Sequence, residues 1–280
     1  MTTEVVVMNK SAVAMAADSA VTISGGSQST PKIYNSVNKL FQLSKYSSVG
    51  IMVYGGAEMM GVPWETIIKM YRQKLGSRQF ERLEEYANDF FDFLQNDSSL
   101  FSGEMCSMFL RDHILAILEK LFHPLEDILK EASQSGADIS ETPSKLVRVL
   151  GSSLAQAILS LKNAPLIDRA DGHFCGQLVQ AVRTFLEDHF ENLTKGFPLE
   201  EFSQDLYEKF SAQIIEVIVK AFVVRQAYTQ QISGLVIAGF GEKDLFPATL
   251  SYTVEGVYKR VKYWRDEHLS GSIDVTIQPP

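Results

Sequence analysis

The residue with the most direct route to chemistry is Thr2, one place behind the initiator methionine. Met1 followed by a small residue is open to trimming, and Thr2 then becomes an N-terminal threonine. Such a residue carries both halves of a nucleophile–base pair. Its hydroxyl can attack a carbonyl, and its α-amino group, with a pKa of roughly 7.7–8, can take the hydroxyl proton directly or through a water. Met-Thr-Thr by itself is also how many chains enter a strand. The next stretch gives it a setting: Val5-Val6-Val7-Met8 and Ala12-Val13-Ala14-Met15-Ala16-Ala17 flank the turn-prone Asn9-Lys10-Ser11. That pattern predicts a tight β-hairpin with strands buried on both faces. A two-residue turn at Asn9-Lys10 puts Thr2 opposite Ala17, and a three-residue loop puts it opposite Asp18. Either register brings the chain terminus beside the Asp18 carboxylate, although an acid there also suits a strand-end turn with Ser19.

Other chemistry-bearing residues are less well arranged. His113, His123, His173, His189 and His268 lack metal-ligand spacing, and packing or surface roles are expected for them. Asp171-Gly172-His173-Phe174-Cys175 reads as a loop entering a helix rather than a thiol–imidazole pair. Lys259, Arg260, Lys262 and Arg265, interleaved with Tyr258, Tyr263 and Trp264, predict a solvated strand face with packing aromatics. Met59-Met60, Met105 and Met108 suit core filling.

The elements that must position these groups are legible in outline. The 280 residues, 45% hydrophobic and 21% charged, are enough for one large domain or two smaller ones with a substantial core. A net charge of −8 disfavours nucleic acid or an anionic membrane as partner. No apolar run approaches the roughly 18 residues of a membrane span. With Cys106 and Cys175 the only cysteines and no secretory leader pattern, reduced thiols and a cytoplasmic location are expected.

Residues 19–38 have loop composition. Lys39–Ser44 and Val49–Tyr54 form a second hairpin ending in Gly55-Gly56. Helical spacing follows, with Ile67, Ile68, Tyr71 and Leu75 on one face, then a second helix over 79–95. Helical character continues over 104–132, interrupted near Pro124, and through 144–162, 174–194 and 199–226. Strands return at Ser233–Phe240 and Ala248–Val254, where Glu255-Gly256 turns the chain into Val257–Trp264. Strands, many helices and strands again make an α+β arrangement.

Taken in order, Thr2-Thr3-Glu4-Val5-Val6-Val7, Ala16-Ala17-Asp18-Ser19, Asn38-Lys39-Leu40, Tyr54-Gly55-Gly56-Ala57 opening a helix, and Gly234–Phe240 resemble the proteasome β-subunit family of N-terminal-nucleophile hydrolases, including the bacterial proteasome-like peptidases. The likeness covers residues 2–75 and, more weakly, about 230–258. It implies an αββα sandwich, here interrupted by a large helical insertion. Residues 1–97 and 199–280 would be the two parts of that domain and 98–198 the insertion.

The resemblance also assigns roles. Thr2 would be the nucleophile and its own amine the general base. Lys39 matches the cation that lowers the hydroxyl pKa and keeps the amine free, Asp18 the acid that orients the lysine, and Gly55 an oxyanion donor. A strand ending in Gly-Gly before a helix would expose N–H groups at a dipole end that favours negative charge. The implied activity is hydrolysis of a peptide or small amide without metal or organic cofactor, in a ring-like homo-oligomer, with any ATPase or regulator unidentified. The competing expectation is a non-catalytic proteasome-like scaffold whose helical insert binds a partner. The family continues with further helices and strands that supply a supporting serine and aspartate. Gln278-Pro279-Pro280 is reached without them and Ser270-Gly271-Ser272 sits in too polar a setting, so either a truncated chain or an incomplete domain is expected.

Overall fold

An unbroken run of small and apolar residues, Ser233–Gly239, forms the middle strand of a large antiparallel sheet and is buried along its whole length. This computed structural model describes residues 4–19, 21–23, 32–34, 38–135, 142–167, 170–193, 200–229 and 232–272. They fall into two compact units, Met1–Cys106 with Gln231–Pro280, and Ser107–Gln230. The unit boundaries stand at 106/107 and 230/231, against 97/98 and 198/199 for the segments expected from sequence.

The first unit holds β1 (Glu4–Met8), β2 (Val13–Ala17), β3 (Val21–Ile23), β4 (Lys32–Tyr34), β5 (Leu40–Gln42), β6 (Val49–Gly55), β7 (Glu58–Met59) and β8 (Val62–Pro63). After these come α1 (Trp64–Leu75), α2 (Leu83–Asn96) and the start of α3 (Gly103–Ser135). The chain re-enters the unit with β9 (Ser233–Gly239), β10 (Ala248–Tyr258), β11 (Arg260–Arg265) and β12 (Gly271–Ser272). The main sheet runs β11-β10-β9-β6-β5, with β12 also paired to β10. The α+β class holds.

Alternation along these strands sorts the two faces. Val49, Ile51 and Val53 of β6, Leu235 and Ile237 of β9, and Leu250, Tyr252 and Val254 of β10 form one core with Ile67, Ile68, Tyr71 and Leu75 of α1 and Tyr86, Phe90, Phe91 and Leu94 of α2. Phe91 stacks on Tyr263 with centroids 3.7 Å apart. The opposite face receives the first hairpin. There the Met15 methyl occupies the place a Cβ on Gly50 would take, and the Tyr54 ring lies over Gly234, its cross-strand partner.

Asp244, in the link between β9 and β10, ties this sheet to α2. Its carboxylate accepts from the Leu83 N–H at 2.9 Å, the Gly241 N–H at 2.8 Å and the Arg82 guanidinium at 3.0 Å. It thus caps a helix distant in sequence. Burial pushes the Asp244 carboxyl up, but the Gly241 and Leu83 amides and the Arg82 charge outweigh it and hold the pKa below the usual range. Asp244→Ala is expected to cost about 1–2 kcal/mol in urea unfolding at pH 7. Because the folded pKa is depressed, the contribution is complete above the unfolded value of about 3.9 and disappears as pH falls through the folded one. Wild type and variant therefore converge in acid.

Four expectations are corrected here. The first hairpin is not buried on both faces: Val5 and Val7 are 46% and 63% exposed, while Glu4, Val6 and Met8 point inward. Residues 19–38 are not all loop, since β3 and β4 pair within them. Glu255-Gly256 is not a turn. β10 runs through it with a bulge and turns at Lys259, whose φ is +55°. Nor does Gly55-Gly56 open a helix, because the small β7–β8 pair intervenes before α1 begins at Trp64.

The second unit is helical: most of α3, then α4 (Thr142–Leu161), α5 (Gly172–Leu193) and α6 (Glu200–Val223). α3 carries Pro124 within it rather than breaking there. Its core includes Ile114, Leu118, Leu150, Leu178, Ile214 and Phe222. His113, fully buried, packs among the rings of Phe109, Phe222 and Tyr228. No helix among the described residues is long and apolar enough to cross a membrane.

Candidate functional site

The β1–β2 register decides what stands next to Asp18. Glu4 pairs with Ala17 and Met8 with Val13, leaving residues 9–12 as a four-residue loop. The Asn9 side chain builds that loop, its Oδ1 accepting from the Ser11 and Ala12 N–H groups at 2.8 and 2.9 Å. Both shorter turns expected from sequence are therefore corrected, and the residue opposite Ala17 is Glu4. Thr2 lies outside the described residues.

Asp18 follows β2 and receives the Lys39 ammonium at 2.5 Å. Lys39 immediately precedes β5 and its carbonyl accepts the Val53 N–H of β6 at 2.8 Å, which fixes the backbone from which the side chain reaches. The lysine is only 8% exposed and the aspartate 32%. Glu4 stands in the field of both. Its Oε1 is buried and has no hydrogen-bond partner among the described residues. Burial raises the Glu4 pKa and nearby Asp18 adds to the rise, while Lys39 opposes it. Sequence patterning passed over Glu4 because its place beside the pair depends on the loop length.

A raised carboxyl binds more protons folded than unfolded, so this group's contribution to stability falls as pH rises from about 4.3 through its folded pKa. Glu4→Gln should then be more stable than wild type at pH 7 and indistinguishable from it below about pH 4, as read by thermal unfolding across pH.

Lys39 shares a pocket of about 150 Å³ with Asn38, Val53, Gly55, Gly56 and the start of α1 at Trp64 and Glu65. Gly55 has φ +74°, and a Cβ there would lie 2.9 Å from the Ile232 carbonyl oxygen, so glycine is required twice over. Successive N–H groups leave an antiparallel strand by opposite edges. Val53 donates to Lys39 on the β5 side and Gly56 donates to Ile232 at 2.9 Å on the β9 side. The Gly55 N–H therefore leaves on the side of Lys39. Of the diglycine amides, only this one suits an incoming anion.

Three of the four sequence candidates, Asp18, Lys39 and Gly55, thus occupy one locality: the first two through an ion pair, the last two through a shared pocket. Among the described residues no group of three or more His, Cys, Asp or Glu side chains could hold a metal ion. Comparison with protein-family models, with curated proteins and with solved structures returns no match.

Proposed function

We propose that this chain is a threonine-type N-terminal-nucleophile amide hydrolase of the proteasome-like kind, acting through Thr2 after removal of Met1. In this reading the first unit is an αββα-type sandwich, with the main sheet and the β1–β2 hairpin as its stacked layers, and Ser107–Gln230 is an insertion. The observation that carries the proposal is the largely buried Lys39–Asp18 ion pair, placed at the end of the strand that pairs with the chain's first strand and opening on the pocket of Gly55.

The Thr2 Oγ attacks the substrate carbonyl and its proton passes to the Thr2 amine. The Lys39 charge lowers the hydroxyl pKa and disfavours protonation of the amine at rest. The carbonyl oxygen, now an anion, takes the Gly55 N–H; losing one such donor in a comparable enzyme costs roughly 2.7–4 kcal/mol of transition-state stabilisation. The C–N bond breaks as the amine returns the proton to the leaving group, and water then hydrolyses the ester on Thr2. Peptides are the proposed substrates, with small amides the alternative on the same chemistry. A ring-like homo-oligomer in the cytoplasm is the proposed setting.

The test is covalent. Intact mass should show Met1 removed, and an epoxyketone, which needs both the hydroxyl and the amine of an N-terminal threonine, should add one probe mass to wild type and none to Thr2→Ala. Retained Met1, or equal labelling of the two proteins, overturns the proposal in favour of a non-catalytic scaffold.

A further inference from the structure

The amide turn that this mechanism uses is held by a side chain far from it in sequence. Ser233, the first residue of β9, is 2% exposed and pairs with Gly55 across the sheet. Its Oγ accepts the Trp64 indole N–H at 2.8 Å, 169 residues away in the chain. The same hydroxyl faces the carbonyl oxygens of Gly56 at 3.2 Å and Glu58 at 3.4 Å, and its one proton is donated to this pair. A Cβ on Gly56 would lie 2.7 Å from that oxygen, so the second glycine is the condition for the hydroxyl's approach. The neighbouring Ile232 carbonyl holds the Gly56 N–H. One hydroxyl therefore links β9, the diglycine turn and the first residue of α1. Trp64, its donor, also lines the pocket that Gly55 and Lys39 share.

We infer that Ser233 is a positioning residue: through the Gly56 carbonyl and the Trp64 indole it fixes the diglycine turn against the pocket wall and so holds the Gly55 N–H at the angle an oxyanion needs. This rests on the hydrolase reading for its catalytic meaning, but the mechanical part can be read without turnover. Among the described residues no other hydrogen bond reaches the Gly56 carbonyl. The turn lies between a positive-φ glycine and a two-residue strand, a segment with little regular hydrogen bonding of its own.

Hydrogen exchange followed by mass spectrometry on wild type, Ser233→Ala and Ser233→Thr provides that reading. In Ser233→Ala, exchange over residues 55–58 should rise at least about tenfold while α2 and β10 keep wild-type protection. Ser233→Thr, which retains the hydroxyl, should restore most of the protection. With a peptide substrate, kcat of Ser233→Ala should fall about 10- to 100-fold with KM little changed, because the lost alignment matters in the transition state. Trp64→Phe, which removes the indole donor together with part of a buried ring, is the second variant should Ser233→Ala not fold, and a local rise at 55–58 is expected of it beyond any change in global stability. Unchanged exchange at 55–58, or a rise spread evenly over the whole sheet, overturns the inference. Wild type that neither turns over nor labels, yet shows the local rise in Ser233→Ala, removes the hydrolase reading and leaves Ser233 as the holder of the turn.

Discussion

Lys39→Met should cut kcat/KM by about 100- to 10,000-fold and lower stability by about 1–3 kcal/mol at pH 7. The side chain it removes is 8% exposed and sits 2.5 Å from the Asp18 carboxylate. A fully buried pair loses roughly 3–5 kcal/mol when one partner goes; Asp18 is about a third exposed, so water screens part of that cost. Glu4 then loses the charge that opposed its raised pKa, while Asp18 still adds to the rise. Glu4 therefore binds a proton more readily in the folded variant than in the unfolded chain. The variant's deficit relative to wild type should be small near pH 4 and reach full size by neutrality, since a raised carboxyl loses stability as pH rises. On rate, losing the charge that biases hydroxyl and amine toward reaction is expected to cost about 100- to 10,000-fold in kcat/KM, the range of a general-base contribution. Urea unfolding at pH 4.5 and 7, beside a peptide-cleavage assay, reads both effects. A variant that cleaves at the wild-type rate would remove Lys39 from the mechanism whatever its stability.

Much of the frame was legible because it is written in single-residue chemistry. β9 announces itself as an unbroken run of small and apolar residues, α1 and α2 through residues recurring at helical spacing, and the β5–β6 hairpin through two apolar stretches with a polar link. Of the candidate residues, Asp18 follows from the hairpin pattern as well, whereas Lys39 and Gly55 are singled out only by the resemblance to the proteasome β-subunit family. What could not be read off depended on geometry between elements. The hairpin loop is longer than either sequence register because the Asn9 side chain replaces backbone partners at Ser11 and Ala12, and that shift is what delivers Glu4 to the site. Gly55-Gly56 invites reading as a helix entrance. The glycines are there instead because the Ile232 carbonyl and the Ser233 hydroxyl come too close for a Cβ. Gly256 likewise suggested a turn, yet the chain turns at a lysine with positive φ, a position composition does not mark. No local pattern could join Trp64 to Ser233.

The largest departure from the sequence reading carries the second large expected effect. Lys262, expected on a solvated face, is fully buried, with its ammonium 2.8 Å from the equally buried Glu255 carboxylate. The β10 bulge between Val254 and Gly256 makes this contact, placing Glu255 out of simple alternation and against Lys262 on β11. Burial lowers the Lys262 pKa to about 8, against the opposing pull of Glu255, so desolvation outweighs attraction for this lysine. Lys262→Met alone should cost roughly 3–5 kcal/mol, because it takes the counter-charge at 2.8 Å from a carboxylate in the sheet interior. That is a large share of the 5–15 kcal/mol that typically holds a domain together. Lys262→Met combined with Glu255→Leu should recover that loss, and a gain of about 1–4 kcal/mol over wild type is within expectation, since neither charge is then desolvated. The pH dependence carries its own sign. Between about pH 8 and the unfolded lysine value of about 10.4, the folded state binds fewer protons than the unfolded chain, so this group's contribution to stability rises with pH across that window. The double variant should lack the rise. Chemical unfolding of wild type, both single variants and the double variant at pH 7 and 9.5 closes the cycle, and a double variant no more stable than Lys262→Met would mean that the pair stabilises the sheet.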